Sequence, residues 1–444
     1  MMYAVTGRSL RRMIRVTCCF AVMIATFTTF ERQAAAAYKY CVDLSPSYLD
    51  QGLGEDELVV PPGGSIRAKY HYYRMWNASS TQVIMDGWLD SAGCSATTTV
   101  GTGKFEIFSL VRHGIHPNTV VIRTKRESTS DPLRLVYFTL TWPSSPGGTV
   151  TTKTLHVGTL LSDYFRVSAV AMELEPSLLV AGQDWTILVR ADTDTACPGQ
   201  ATGCASSSVI WLGQLPDGTW NNQYKSVIAH ELGHLSQGAL FGFPSSPGAA
   251  GPADYSDTPN DELFCGCWYV ENPNDRLHCL TSREYLAPAF AEAYAHYFAS
   301  RAFNTASEND AVYPYYKRVL MPRAQNPTCG PPGGTCYYWQ PPVAHDVLNA
   351  NRWLETQCPG DAIAHRATEM DWLGLLYDLG TKRDYSGADL RAIMEDPLVC
   401  NGWCNGSDEM EWDKIDNSVN VQAGFSPIKQ AYFDARSIAF GVKR

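Results

Sequence analysis

The stretch KSVIAHELGHLSQG runs from Lys225 to Gly238 and places His230 and His234 four residues apart. Its apolar residues follow helical spacing, so we predict a helix that ends at Gly238. Residues four apart on a helix stand on one face, which directs both imidazole rings to the same side.

Glu231 lies between the two histidines and completes the pattern His-Glu-x-x-His. On a helix, this spacing lets two imidazole nitrogens converge on one divalent ion, and zinc accepts such ligands while a position stays open for water. A carboxylate next to the first ligand can accept a proton from that water. The pattern therefore predicts a catalytic Zn²⁺ site in which His230 and His234 are ligands and Glu231 is the general base.

The segment VIAHELGH resembles the active-site helix of the HExxH zinc metallopeptidases, the zincins. One branch, the metzincins, adds a glycine and a third histidine, but Gln237 and Leu240 occupy those positions here. A second branch, the gluzincins, takes its third ligand from a glutamate on a later helix. The segment AFAEAYAHYFA is similar to that helix, and the resemblance implies Glu292 as the third ligand.

Other residues stay open as ligands or supporting groups. The alternative third ligands are His296, Glu284 and Asp371. Some gluzincins carry an aspartate four residues after the ligand glutamate, where it orients the first histidine, and His296 holds that position here. Family precedent for a tyrosine or histidine that stabilises the oxyanion leaves four candidates: Tyr294, Tyr297, His296 and His365. Glu369 and Asp371 are further candidates for supporting the histidine pair through an outer contact.

The first 37 residues have the pattern of a secretory signal peptide. Arginines precede the apolar run Val16–Phe30, and the small residues Ala34–Ala37 follow it. The run spans 15 residues, which is shorter than the ~20 that a transmembrane helix needs. We expect cleavage near Ala37, a secreted or periplasmic protein, and no stable membrane insertion.

The net charge and the cysteine content of the chain limit the kinds of partner and the cellular compartment that we expect. Without residues 1–37 the chain carries 30 basic and 44 acidic residues, a net charge of −14, which disfavours nucleic acid as a partner. The same region has 12 cysteines, an even number that in an exported protein favours disulfide bonds over thiolate metal sites. The expected local pairs are Cys197–Cys204, Cys329–Cys336 and Cys400–Cys404, and a bond between Cys41 and Cys94 is a further candidate that would hold the N-terminal region together.

The hydrophobic pattern predicts an α+β protein with two domains. Residues 38–148 contain short β-branched and aromatic runs separated by turn residues, which is typical of an antiparallel all-β domain. The segment Pro143–Thr149 has linker composition. Residues 149–444 alternate strand-like and helix-like segments, and the resemblance implies a zincin-like catalytic domain with a mixed sheet, an active-site helix and a ligand helix.

These features predict a secreted zinc peptidase that hydrolyses bonds in a peptide or protein substrate. Two alternatives stay open: a non-catalytic adhesin on a zincin scaffold, and a zinc amidase that acts on cell-wall peptides. The intact Glu231 favours catalysis, because a binding protein has no chemical need for a general base there. The acidic loop Ala253–Glu262 is a weaker candidate for calcium, since it lacks the spacing of a known calcium loop. The oligomeric state is left open.

Overall fold

The computed structural model describes only part of the chain. The described residues are 39–46, 66–77, 79–98, 104–113, 120–126, 137–141, 151–157, 159–189, 203–206, 208–213, 225–241, 283–303, 366–382, 385–394, 419 and 427–439. Several predicted features lie outside them: the signal peptide 1–37, the linker Pro143–Thr149, the acidic loop Ala253–Glu262, and His365.

The described strands form three sheets. Their bounds are β1 (Tyr40–Pro46), β2 (Ile66–Arg67), β3 (His71–Trp76), β4 (Val83–Trp88), β5 (Lys104–His113), β6 (Val120–Arg126), β7 (Tyr137–Thr141), β8 (Thr151–Val157), β9 (Asp184–Val189), β10 (Gly203–Ser206), β11 (Val209–Leu212), β12 (Arg283–Tyr285) and β13 (Arg366–Thr368). The largest sheet has eight strands in the order β10-β11-β9-β6-β5-β3-β4, with β7 also paired to β5. The others have the orders β2-β1-β8 and β12-β13.

Strand β5 lies at the centre of the eight-stranded sheet; the sequence predicts strands within residues 38–148 but does not single out this one. It pairs in antiparallel fashion with β3 on one side, and with β6 and β7 on the other. Nearly every side chain from Phe105 to Val111 is buried. A strand that is covered on both faces lacks the polar–apolar alternation by which a half-exposed strand is identified, which explains the miss.

Strands from both sides of the predicted linker share one sheet. Strand β6 pairs in parallel with β9, and β1 pairs in parallel with β8. The buried core is also continuous, since Phe105 and Ile122 belong to the same cluster as Phe165 and Trp185. The expected antiparallel pairing is present among β3 to β7, but the sheet as a whole is mixed. Because Pro143–Thr149 itself lies outside the described residues, the domain boundary at this segment stays a prediction.

Six α-helices lie within the described residues. Their bounds are α1 (Thr159–Met172), α2 (Lys225–Phe241), α3 (Leu286–Phe303), α4 (Glu369–Lys382), α5 (Gly387–Met394) and α6 (Pro427–Ala439). Helix α1 packs on β1, β5 and β6, whereas α2 packs on β10, β11 and α3. Helices and a mixed sheet together make an α+β protein, which confirms the predicted class.

Helix α2 extends past its predicted end. We expected Gly238 to stop the helix, but the helix continues to Phe241. Leu240 in the added turn is buried in the core. The burial of this side chain outweighs the poor helix propensity of glycine, which costs only about 1 kcal/mol.

The disulfide predicted between Cys41 and Cys94 is present and joins β1 to the turn after β4. Cys204 is also disulfide-bonded, and its predicted partner Cys197 lies outside the described residues. In the part of the chain that the structure describes, no helix is long and apolar enough to span a bilayer.

Candidate metal centre

The centre forms where helix α2 crosses helix α3. Gly233 of α2 faces the backbone of α3: a Cβ atom built on Gly233 would lie 2.7 Å from Ala295 Cα and 3.1 Å from Phe298 Cβ. The two helices therefore approach each other as closely as a glycine permits. This close crossing brings the histidine pair of α2 against Glu292 of α3.

Three donor atoms meet at this crossing. His230 Nε2 lies 3.1 Å from His234 Nε2 and 3.2 Å from Glu292 Oε2. His234 Nε2 lies 3.4 Å from the same carboxylate oxygen. His234 and Glu292 are buried, and His230 is partly buried. Of the residues proposed as ligands from the sequence, these three are brought together.

The geometry of the three donors fits a zinc ion. Zinc binds imidazole nitrogen and carboxylate oxygen at about 2.0–2.1 Å, and tetrahedral angles then separate the ligand atoms by about 3.3 Å. The three observed separations of 3.1, 3.2 and 3.4 Å lie close to that value. Three protein ligands leave the fourth tetrahedral position for water or substrate, as catalytic zinc sites require.

The pKa values of the two histidines are shifted in opposite directions at this site. Burial lowers the pKa of His230 to about 3, and the neighbouring His296 and His234 add to the effect. Burial acts in the same sense on His234, but the Glu292 carboxylate outweighs it and raises the pKa of His234 to about 9, with Glu231 contributing. The site thus favours a positive charge between Glu292 and the imidazoles, which a dication would supply more fully.

Glu231 lies on α2 between the two histidines and is buried, with 8% of its surface exposed. Its carboxylate is near enough to His234 to raise the pKa of that residue. A carboxylate beside a metal site can receive a proton from water that enters the site. The role of Glu231 as general base therefore stays a prediction.

His296 connects the metal centre to helix α4. The ring of His296 lies against the ring of His230, with centroids 4.3 Å apart. His296 Nε2 lies 3.7 Å from Glu369 Oε2 at the start of α4. Asp371, the other acidic candidate on α4, is fully buried, and its backbone N–H donates to Thr368 Oγ1.

The two tyrosine candidates make their contacts within the core. The Tyr294 hydroxyl lies 3.2 Å from Ser236 Oγ, and the Tyr297 hydroxyl lies beside Gly380 of α4. Burial raises the pKa of both phenols. Two and five positions after Glu292, these side chains stand on other faces of α3. Among the described oxyanion candidates, only His296 is brought to the histidine pair by a contact seen here.

Two residues near this centre were not predicted from the sequence to support it. Gly233 sets the distance between α2 and α3, and a glycine inside a helical pattern could have signalled a close contact. Gln237 is buried near His234 and contributes to the raised pKa of that residue. No spacing rule identifies such an outer contact of a ligand.

Comparison of the chain with models of protein families, with characterised proteins and with solved structures finds no match.

Proposed function

We propose that this chain is a zinc-dependent peptidase of the gluzincin type, with His230, His234 and Glu292 as the zinc ligands. The observation that carries the proposal is the mutual spacing of 3.1–3.4 Å between three donor atoms. Glu292 lies 58 positions after His234 in the chain. Convergence over that separation, at the spacing of a tetrahedral zinc site, supports a metal centre over a chance pair of histidines.

The chemistry follows from the placement of Glu231. Zinc, when bound, lowers the pKa of water and polarises the carbonyl of a substrate. Glu231 accepts a proton as water attacks the scissile carbonyl carbon, and then returns that proton to the amine that leaves. The three ligands would hold the metal, and the burial of His234 and Glu292 would limit the screening of the reacting charges by bulk water. The reaction class is hydrolysis of a peptide bond.

Three features of the fold support the proposal. Helix α2 carries the base and two ligands, helix α3 carries the third, and the β10–β11 end of the mixed sheet packs against α2. The strands before Pro143 contribute to the same sheet, so we propose that they stabilise the catalytic unit. We also propose export, which rests on the signal-peptide pattern of residues 1–37.

The experiment that tests the proposal compares residues 38–444 with a Glu231→Gln variant. Both are incubated with a mixed peptide library, and the zinc content of each is measured. We expect zinc in both proteins and cleavage by the wild type alone, because the amide cannot accept a proton but keeps the shape of the carboxylate. Loss of the general base should lower the rate by about 10²–10⁴-fold.

The other outcomes are equally informative. Absence of zinc from the wild-type protein after exposure to zinc would contradict the metal centre itself. Zinc in both proteins without cleavage by either would contradict peptidase activity on ordinary peptides, and it would favour the adhesin or cell-wall amidase alternatives. Cleavage of cell-wall peptides by the wild type, but not of the library, would select the amidase.

A further inference from the structure

Within the described residues, the Nδ1 atom of His230 is buried without a hydrogen-bond partner. Histidines that bind metals usually donate this second ring nitrogen to a carboxylate, carbonyl or water, which fixes the orientation of the ring. The orientation of His230 is therefore held in another way. Two rings lie against it: that of His234, at a centroid distance of 4.7 Å, and that of His296, at a centroid distance of 4.3 Å and an interplanar angle of 50°.

His296 in turn lies next to Glu369. The carboxylate oxygen Oε2 of Glu369 lies 3.7 Å from His296 Nε2, and both side chains are buried, with 3% and 11% of their surfaces exposed. This separation is too long for a hydrogen bond, so the interaction is an electrostatic contact between the carboxylate and the imidazole in a medium of low dielectric constant. Such a contact is stronger there than at a surface, because little solvent screens it.

The backbone holds Glu369 in this position. Strand β12 leads directly into α3, and strand β13 leads directly into α4. The two strands pair in antiparallel fashion, with Arg283 opposite Thr368 and Tyr285 opposite Arg366, so α3 and α4 begin at opposite ends of this short ladder. The two helices also pack against each other. The Thr368 hydroxyl accepts a hydrogen bond from the Asp371 N–H, which caps the start of α4. Glu369 is the first residue of this capped helix.

We propose that Glu369 is a positioning residue of the metal centre that acts through His296. Its carboxylate holds the His296 ring, and that ring fixes the His230 ring in the orientation in which Nε2 faces His234 and Glu292. The inference rests on the proposed metal centre. It adds a third helix, α4, to the two that carry the ligands, and it gives His296 a supporting role rather than that of a ligand.

The test measures metal affinity in the intact chain from residue 38 onward. Zn²⁺ and Co²⁺ are titrated into wild type and Glu369→Gln in competition with a chromophoric chelator. The absorption bands of bound Co²⁺ report the geometry of the ligands. We expect Glu369→Gln to lower the affinity for both metals by about 10–100-fold and to change the Co²⁺ spectrum. An affinity within about twofold of the wild type, with an unchanged spectrum, would overturn the proposal.

A matched control separates positioning from a general loss of stability. Asp378 lies on the same helix and is also buried, but its carboxylate accepts a hydrogen bond from Tyr432 of α6. Asp378→Asn removes a buried charge from α4 without touching His296. We expect this variant to keep wild-type affinity and the wild-type Co²⁺ spectrum, even if it is less stable. Equal loss of affinity in both variants would show that α4 acts only through stability.

A third variant tests the route through His296. His296→Phe keeps an aromatic ring against His230 and removes the nitrogen that faces Glu369. In this background we expect Glu369→Gln to have no further effect on metal affinity, because the two residues act in series. Additive losses would contradict the route. A wild-type chain that binds neither metal would instead contradict the metal centre, so the two failures are distinguishable.

Discussion

Gly233 lies against Ala295, so close that a methyl group at position 233 would come within 2.7 Å of the Ala295 Cα atom. Gly233 is the residue before His234 and the third residue after His230, and Ala295 is three positions after Glu292. The closest approach of α2 and α3 is thus located among the three donors themselves. Any residue that separated the helices here would also separate His230 and His234 from Glu292.

We predict that Gly233→Ala lowers stability and metal affinity together. The added methyl group forces the helices apart, and such overpacking costs about 1–3 kcal/mol. Unfolding in urea and titration with zinc measure the two effects. Gly87→Ala is the control, because a Cβ atom there meets the Tyr73 hydroxyl oxygen at an ordinary contact distance of 3.6 Å. Wild-type zinc affinity in Gly233→Ala would contradict the role of this contact.

Replacement of Glu292 by Gln should remove the charged ligand and keep the shape of the side chain. An amide oxygen is a much weaker zinc ligand than a carboxylate, so we expect the zinc affinity to fall by more than about 100-fold. Equilibrium dialysis against buffered zinc measures the change. The surface variant Glu173→Gln, whose partner is Lys69, serves as the charge-matched control. Retention of zinc by Glu292→Gln would favour one of the other third-ligand candidates.

The disulfide between Cys41 and Cys94 closes a chain segment with a sequence separation of 53 residues. Cross-linking over such a length restricts the unfolded chain, and the chain-entropy relation gives a stabilisation of about 4 kcal/mol. We therefore expect the double variant Cys41→Ala/Cys94→Ala to unfold at markedly lower urea concentration while its zinc content is unchanged. Equal midpoints for the variant and the wild type would refute this expectation.

We predict that the free energy of unfolding decreases as the pH falls, in part because of His71. This residue is buried, with Nε2 2.9 Å from Ser168 Oγ and Nδ1 3.0 Å from the Lys69 carbonyl oxygen, and burial lowers its pKa to about 4. The unfolded chain, with a histidine pKa near 6.5, takes up the proton first as the pH falls. Above pH 6.5, His71 therefore contributes about 3 kcal/mol to the free energy of unfolding. This contribution is lost as the pH falls from 6.5 to 4.

Urea unfolding at several pH values, with a chelator present, measures this dependence. In His71→Gln the side chain cannot titrate, so the slope of unfolding free energy against pH should decrease by about one proton in that range. A remaining slope is expected from His113, because burial also lowers its pKa. An unchanged slope in His71→Gln would show that His71 is accessible to protons in the folded protein.

A cut within Pro143–Thr149 should not separate the chain into two free parts. Strand β6 before the segment pairs with β9 after it, and β1 pairs with β8. We predict that a protein with a specific protease site inserted in this segment, once cut, elutes as one species in size-exclusion chromatography. Two separate folded fragments would instead support an independent N-terminal domain or a removable propeptide.

The local features of the centre were predictable because they depend on near neighbours in sequence. The helical spacing of Lys225–Gly238 places His230 and His234 on one face whatever the rest of the chain does. Glu292 was implied by resemblance, but its contact with the histidines depends on how two helices cross. Its competitors His296 and Asp371 could not be excluded by spacing, because they lie on helices of similar apolar character.

The sequence by itself determined the helix that carries the histidines and the residue types that can bind a metal and accept a proton, since these follow from local periodicity and side-chain chemistry. Only the tertiary structure decided that β5 lies at the centre of a mixed sheet and that Glu369 reaches His296. The physical reason is that parallel pairing and helix crossing join segments that are distant in the chain. The favourable energy of such contacts comes from burial and close packing, which no single segment contains.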